Sequence, residues 1–261
     1  MRLRRRVVLG STYLDELDSS IVVQNVDPGT PQESISTVPR MGGAGSRVTS
    51  SHYDMLECTV TFGIDLPKES LAARREVFNK VVAWAMARGY LKVTSMPNRR
   101  MYVEKVIIPS CGDLFEWTNS FTITFRAYGV PFWQDSTPTT VTKSTITNGS
   151  ITFEIGGNVE TTCAVTCHNK SGKVINNLSV TAGKNKMTFA SLGLAANEDL
   201  VIDHSNGILR IRIKNTSGTY RSAMACRTGA DDLWISPGAN TITIASDRAV
   251  QLTVTSYGRW L

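Results

Sequence analysis

The residues with the most chemistry in them are few and scattered. Cys163, Cys167 and His168 in "ETTCAVTCHN" suggest a metal-ligand set, and Asp203-His204-Ser205 in "VIDHSNG" contains the three residue types of a hydrolase triad. "MGGAGS", from Met41 to Ser46, has the glycine content of a phosphate-binding loop. None of the three has the geometry its chemistry needs. The cysteine segment alternates like a strand, and residues four apart on a strand lie ~13 Å from each other, too far to share one ion. Buried free thiols are expected there instead. Three neighbours in a turn cannot form a nucleophile, base and orienter, which are brought together from separate segments. The glycine tract lacks the lysine of a P-loop and its strand-to-helix setting, and no HExxH or GxSxG occurs. The remaining histidine, His52, sits in a polar stretch. The sequence therefore predicts no enzyme, no cofactor and no metal site. Cys58, Cys111 and Cys226 bring the cysteines to an odd number without CxxC spacing, which predicts reduced thiols and no disulfide framework.

The elements that must carry any other function are mostly strands. A length of 261 residues exceeds one ordinary domain, since domains run to ~100–200 residues, so two are expected. With 41% hydrophobic and 19% charged residues, the composition is that of a folded chain rather than a disordered one. The net charge of +6 is most concentrated in "MRLRRR", where Arg2, Arg4, Arg5 and Arg6 run straight into the apolar "VVLG". That reads as a solvated strand end or a contact with an acidic partner rather than a nucleic-acid-reading arm. Only "VVL" follows, short of the ~7–15 apolar residues of a signal peptide, and no run reaches the ~18 of a membrane span. A soluble protein made in a cytoplasm, with no membrane partner, is expected.

In the first half, "RRVVLG" and "SSIVVQNV" read as strands, with a turn at Asp27-Pro28-Gly29-Thr30-Pro31. The stretch 27–53 is polar and rich in Gly and Ser, and reads as a loop longer than ordinary connections. Such a loop is functional, mobile, or an arm reaching a neighbour. Arg40, Gly42, Gly43 and Arg47 are its candidate interface residues. "LECTVTFGI" alternates with Cys58, Val60, Phe62 and Ile64 on one face and Glu57, Thr59 and Thr61 on the other. The spacing predicts one helix over about 68–89, with a stripe of Leu71, Phe78, Val82 and Ala85 and with Arg74, Arg75, Glu76 and Lys80 off it. Ser70 or Asp65 caps its start and Gly89 takes the left-handed position at its end. "FTITFRAYGVPFWQD" is a strand with Thr122, Thr124 and Arg126 opposite a buried face, stopped by Gly129 and Pro131 and anchored by Phe132 and Trp133. Beyond it, a Thr/Ser-rich connector leads to strands with frequent turns, among them a hairpin at Asn206-Gly207, which predicts a β-sandwich. The division is 1–135, a linker at 136–145, and 146–261. Trp234 in "DDLWISPGANTITI" is a candidate sugar contact, on a strand either face of which could be core.

The order of parts resembles the distal tail protein (Dit) family of long-tailed, siphovirus-type bacteriophages. The resemblance rests on the basic first strand, "ECTVTFGI", the helix "LAARREVFNKVVAWAMARGYL", "GDLFEWTNSFTITFRAYGVPFWQD", and a closing domain containing "LVIDHSNG" and "WISPGANTITI". Many relatives carry Asp-Pro-Phe where this chain has Val130-Pro131-Phe132. The resemblance implies a mainly β fold with one principal helix, an N-terminal tail-tube-like β-sandwich and a C-terminal galectin-like β-sandwich. It implies a structural virion protein at the distal end of the tail, assembled in the host bacterial cytoplasm. N-terminal domains would form a homo-hexameric ring that continues the DNA channel. The tail tube protein above and a tail-associated hub or fibre protein below would be partners, the tape measure protein a further one. Glu57, Thr59, Thr61, Thr122, Thr124 and Arg126 would then face passing DNA without reading its sequence, or else form an ordinary solvent face. The alternative is a carbohydrate-binding receptor module acting through the C-terminal sandwich.

Overall fold

The computed structural model describes residues 5–40, 44–67, 69–109, 119–205 and 207–261. The chain divides into two compact units after Trp133.

In the N-terminal unit the strands are β1 (Val7–Leu9), β2 (Thr12–Tyr13), β3 (Ile21–Asp27), β4 (Gln32–Pro39), β5 (Ser46–Ile64), β6 (Gly89–Val93), β7 (Arg99–Val103), β8 (Lys105–Ile107) and β9 (Ser120–Ala127), with helix α1 (Leu71–Met86) between β5 and β6. One sheet has the order β2-β1-β6-β7, and another the order β3-β5-β9-β8 with β4 also paired to β5. Alternation decides which faces are buried. Leu56, Cys58, Val60 and Phe62 of β5 lie directly opposite Ala127, Phe125, Ile123 and Phe121 of β9, and all eight are buried. The helix closes this core and ties the two sheets together. Phe78 meets Phe62 and Phe121, Trp84 stands edge-on to Phe125 of β9, and the Trp84 indole N–H donates to the Thr12 carbonyl of β2 at 3.0 Å.

The helix differs from its expected form in three ways. Its buried stripe is Arg74, Val77, Phe78, Val81, Trp84 and Ala85, so Val82 lies off the stripe and Arg74 on it. The buried Arg74 guanidinium, which the periodicity alone reads as surface, donates to the Asn119 side-chain oxygen at 2.9 Å as one of its partners. Ser70 caps through its carbonyl, which accepts the Arg74 N–H at 3.0 Å, with no bond from its side chain. Arg88 takes the left-handed position at the end, with φ +57°, and Gly89, also at positive φ (+120°), already opens β6.

The described residues of 27–53 do not form one long loop. β4 and the first half of β5 form a ribbon, with Gln32 opposite Met55 and Pro39 opposite Ser46. The sequence hid it because nearly every residue of the ribbon is exposed on both faces, so no apolar alternation marks it. The available signal was β-branched Thr37, Val38, Val48 and Thr49 on either side of a glycine tract.

After β10 (Trp133–Asp135), the C-terminal unit contains β11 (Thr139–Ile155), β12 (Thr161–Asn169), β13 (Leu178–Ala182), β14 (Asn185–Phe189), β15 (Asp199–Ser205), β16 (Ile208–Lys214), β17 (Tyr220–Ser222), β18 (Arg227–Gly229), β19 (Trp234–Ile235), β20 (Gly238–Ser256) and β21 (Arg259–Trp260). The Thr/Ser-rich stretch read as a connector is strand from Thr139 onward, because threonine suits an exposed strand face. β11 and β20 pair along nearly their whole length, with bulges around Ile146. One half of β20 pairs with β12 and the other with β13, so the long pair serves both layers of the sandwich and turns between them at the bulges. The inward residues of these strands make one continuous core, including Phe153, Cys163, Cys167, Phe189, Ile211 and Leu252. In the β15–β16 hairpin Ser205 pairs with Ile208, and Asn206 of the expected turn lies outside the described residues.

Candidate functional site

Three cross-strand pairs bring the six expected face residues of the N-terminal unit together. Glu57 is opposite Arg126, Thr59 opposite Thr124, and Thr61 opposite Thr122. The register puts all six on the side of the β5–β9 pair away from the core. The Thr61 and Thr122 hydroxyls are 2.9 Å apart, and Arg126 Nε donates to Glu57 Oε2 at 2.7 Å. That bond, followed by one to the Tyr128 phenol, holds the Arg126 guanidinium above its ordinary pKa. Flanking strands extend the face with residues that sequence reasoning missed. Asp27 of β3 is opposite Thr59, and Lys105 of β8 is opposite Arg126. At the rim Arg5 donates to the Asn25 side chain and the Gln24 carbonyl. One ion pair, Glu57 with Arg126, therefore sits in a field of hydroxyls, with Asp27, Lys105 and Arg5 around it.

The ribbon is the second feature. It exposes Ile35, Val38 and Val48, and its tip carries Arg40 and Arg47, with Arg40 N–H donating to the Gly45 carbonyl at 3.2 Å. Gly42 and Gly43 lie outside the described residues. The root of the ribbon is built tightly. Gly29, with φ +63°, lies so close to β5 that a Cβ there would be 1.8 Å from the Glu57 carbonyl oxygen. The Trp133 indole N–H donates to the Pro28 carbonyl at 3.1 Å, and Phe132 stands edge-on to Tyr53 with ring centroids 5.1 Å apart. Phe132 and Trp133 thus anchor the chain leaving β9 and clamp the base of the ribbon at the same time. Glu104 helps end β9, since one of its carboxylate oxygens accepts the N–H groups of Tyr128 and Gly129.

The C-terminal unit keeps its reactive side chains apart. Cys163 and Cys167 point into the core, with their thiols pushed up to about 12 by burial. His168 faces the other way, with Nδ1 2.6 Å from Asp199 Oδ1. Asp203 receives Arg210 and Arg212, while His204 turns to Asp232 at 2.8 Å, so the two neighbours serve different networks. Among the described residues no cluster of three or more metal-type ligands forms, and no helix is long and apolar enough to cross a membrane. Trp234 is 42% exposed on β19, with the Arg259 guanidinium 5.5 Å from its ring centre. Burial lowers the Arg259 pKa to about 10.

With one α-helix among the described residues, a ribbon-bearing N-terminal unit and a β-sandwich following it, the mainly β chain shares its fold with a solved phage protein. The SPP1 Dit protein, described as a paradigm of the hub adsorption apparatus in phages infecting Gram-positive bacteria, matches with a TM-score of 0.65 over 97% of this chain and 98% of its own, at 13% identity. Two structures of the phage P2 baseplate in its activated conformation, with Ca and with Sr, match at a TM-score of 0.49 and 10% identity, over 97% and 96% of this chain and 98% and 97% of theirs. No protein-family model and no curated protein matches the sequence. The resemblance drawn from the residues holds at the level of the fold.

Proposed function

We propose that this chain is a structural subunit of a phage tail, forming a hexameric ring at the distal end that joins the tail tube to the adsorption apparatus and continues the DNA channel. The observation that carries the reading is the match to SPP1 Dit along almost the full length of both chains. Two features of the chain support it. A two-stranded ribbon exposed on both faces is marginal by itself and gains from pairing with a neighbour, and contacts that run from one subunit to the next close into rings. The hydroxyl face, with Arg126 held by Glu57, suits a channel wall, because each lysine or arginine offered to the duplex would bind phosphate and release counterions. Tube protein, hub or fibre protein and tape measure protein are the partners this position brings. Deleting residues 40 to 47 should leave a folded monomer that elutes and images without rings; a full ring from the deletion variant would overturn the role given to the ribbon.

A second reading is favoured by the exposure of Trp234 and of Tyr220, which is 46% exposed: a carbohydrate platform on the C-terminal sandwich. Saturable glycan binding by the full chain, abolished by Trp234→Ala, is its test. Absence of binding on a glycan array removes it.

A further inference from the structure

We infer that Glu57 is a charge mask: its carboxylate occupies Arg126 so that the guanidinium is not offered to the phosphates of duplex DNA passing this face. The inference rests on the channel reading above and adds to it a residue that sets how weakly the wall binds. An arginine at the level of a DNA backbone would ordinarily be its strongest contact, since the guanidinium fork matches phosphate oxygens in a bidentate fashion. Here the Nε edge of the guanidinium is engaged. Arg126 and Glu57 are direct cross-strand partners, joined at 2.7 Å, with the Tyr128 phenol as a further partner. Both side chains remain about a quarter exposed, at 25% and 29%, so the pair lies at the surface that a duplex would meet and not beneath it. Next along the two strands come Thr59 and Thr124, then Thr61 and Thr122, which offer hydroxyls and no charge. The other charges on the face do not neutralise each other: Lys105 is exposed opposite Arg126 on β8, and Asp27 lies on β3 with β5 and β9 between them. Removing the Glu57 charge therefore leaves a basic excess at one place.

The alternative role for the pair is purely structural, fixing the register of β5 on β9. The two roles separate on the binding of a short labelled duplex by the full chain, followed by fluorescence anisotropy across a salt series. Glu57→Gln preserves size and a hydrogen-bond acceptor. If Glu57 masks Arg126, this variant gains duplex affinity over the unsubstituted chain. The gain grows at low salt by up to about 3.5-fold per fourfold dilution for each phosphate contact added, from a slope of about 0.9 per contact. Adding Arg126→Gln cancels the gain, while Arg126→Gln alone, which leaves the Glu57 carboxylate without its cation, gives no gain. Equal binding by the unsubstituted chain and Glu57→Gln, with unaltered circular dichroism, overturns the inference. Should Glu57→Gln fail to fold, Glu57→Thr, which extends the row of hydroxyls, takes its place with the same outcomes. A fault in the channel reading shows separately: a variant that gains duplex binding but leaves genome release from virions unchanged removes this face from the lumen without touching the mask.

Discussion

Replacing Gly29 by alanine tests the root of the ribbon against a control within the same unit. Gly29 and Gly10 have almost the same backbone, with φ +63° and +64°, where an L residue costs about 1–2 kcal/mol. They differ in what surrounds them. A Cβ at Gly10 meets nothing within 4 Å, whereas at Gly29 it would lie 1.8 Å from the Glu57 carbonyl oxygen and 3.0 Å from its carbon. Both obstacles are backbone, so relief requires lifting the Asp27–Pro31 turn off β5, where the Trp133 indole holds the Pro28 carbonyl. Overpacking of this kind costs about 1–3 kcal/mol, bringing Gly29→Ala to about 2–5 kcal/mol in total. For a unit of this size 1 kcal/mol moves the melting temperature by about 4 °C. Calorimetry on the full chain should show a drop of about 4–8 °C for Gly10→Ala and about 8–20 °C for Gly29→Ala. Ring formation should fall with the second variant only. Equal shifts for the two would refute the claim that Gly29 is clamped against β5.

In the C-terminal unit, Asn169→Ala should cost about 3 kcal/mol in chemical denaturation, because the buried Asn169 amide donates to the carbonyls of Lys173, Leu194 and Ala195 and accepts from Ser171; a loss under about 1 kcal/mol would show that these groups find other partners. Burial pushes the thiols of Cys58, Cys163 and Cys167 up to about 12. Their contribution to stability is therefore present below the ordinary thiol range and is lost as pH climbs above about 9 towards 12, which melting curves across alkaline pH should show. Of the four described cysteines, only partly buried Cys226 should react quickly with a thiol reagent in the native state, and fast labelling of the other three would contradict the burial. Lysine at Thr59, Thr61, Thr122 and Thr124 together should leave rings intact and slow genome release, more so at low salt; normal release from virions carrying the substituted ring would take these positions out of the channel.

How much was legible follows from where each residue's environment is written. The β5 and β9 faces were readable because one side of each strand is core, so Cys58 to Ile64 and Phe121 to Ala127 alternate with polar residues. The inert thiols followed from the same period. The ribbon was not readable as strand, since neither of its faces is buried and pairing with β5 leaves no mark on composition. Arg74 misled for the opposite reason: its stripe position is buried, and one of its partners, Asn119, lies 45 residues away. The same holds for the pairing of Phe132 with Tyr53 and of Trp133 with Pro28, where the sequence showed an anchored end to β9 but not that the anchor grips the ribbon. Asp27 and Lys105 joined the polar face only once the registers of β3 and β8 were known.

The central claim is a place at the distal end of a phage tail. Electron microscopy of virions labelled with gold-conjugated antibody to this chain tests it most directly. Label should be confined to the tail tip, beyond the last visible ring of the tube. Label on the capsid or along the length of the tube, or its absence from virions whose tips are accessible to a control antibody, would contradict it.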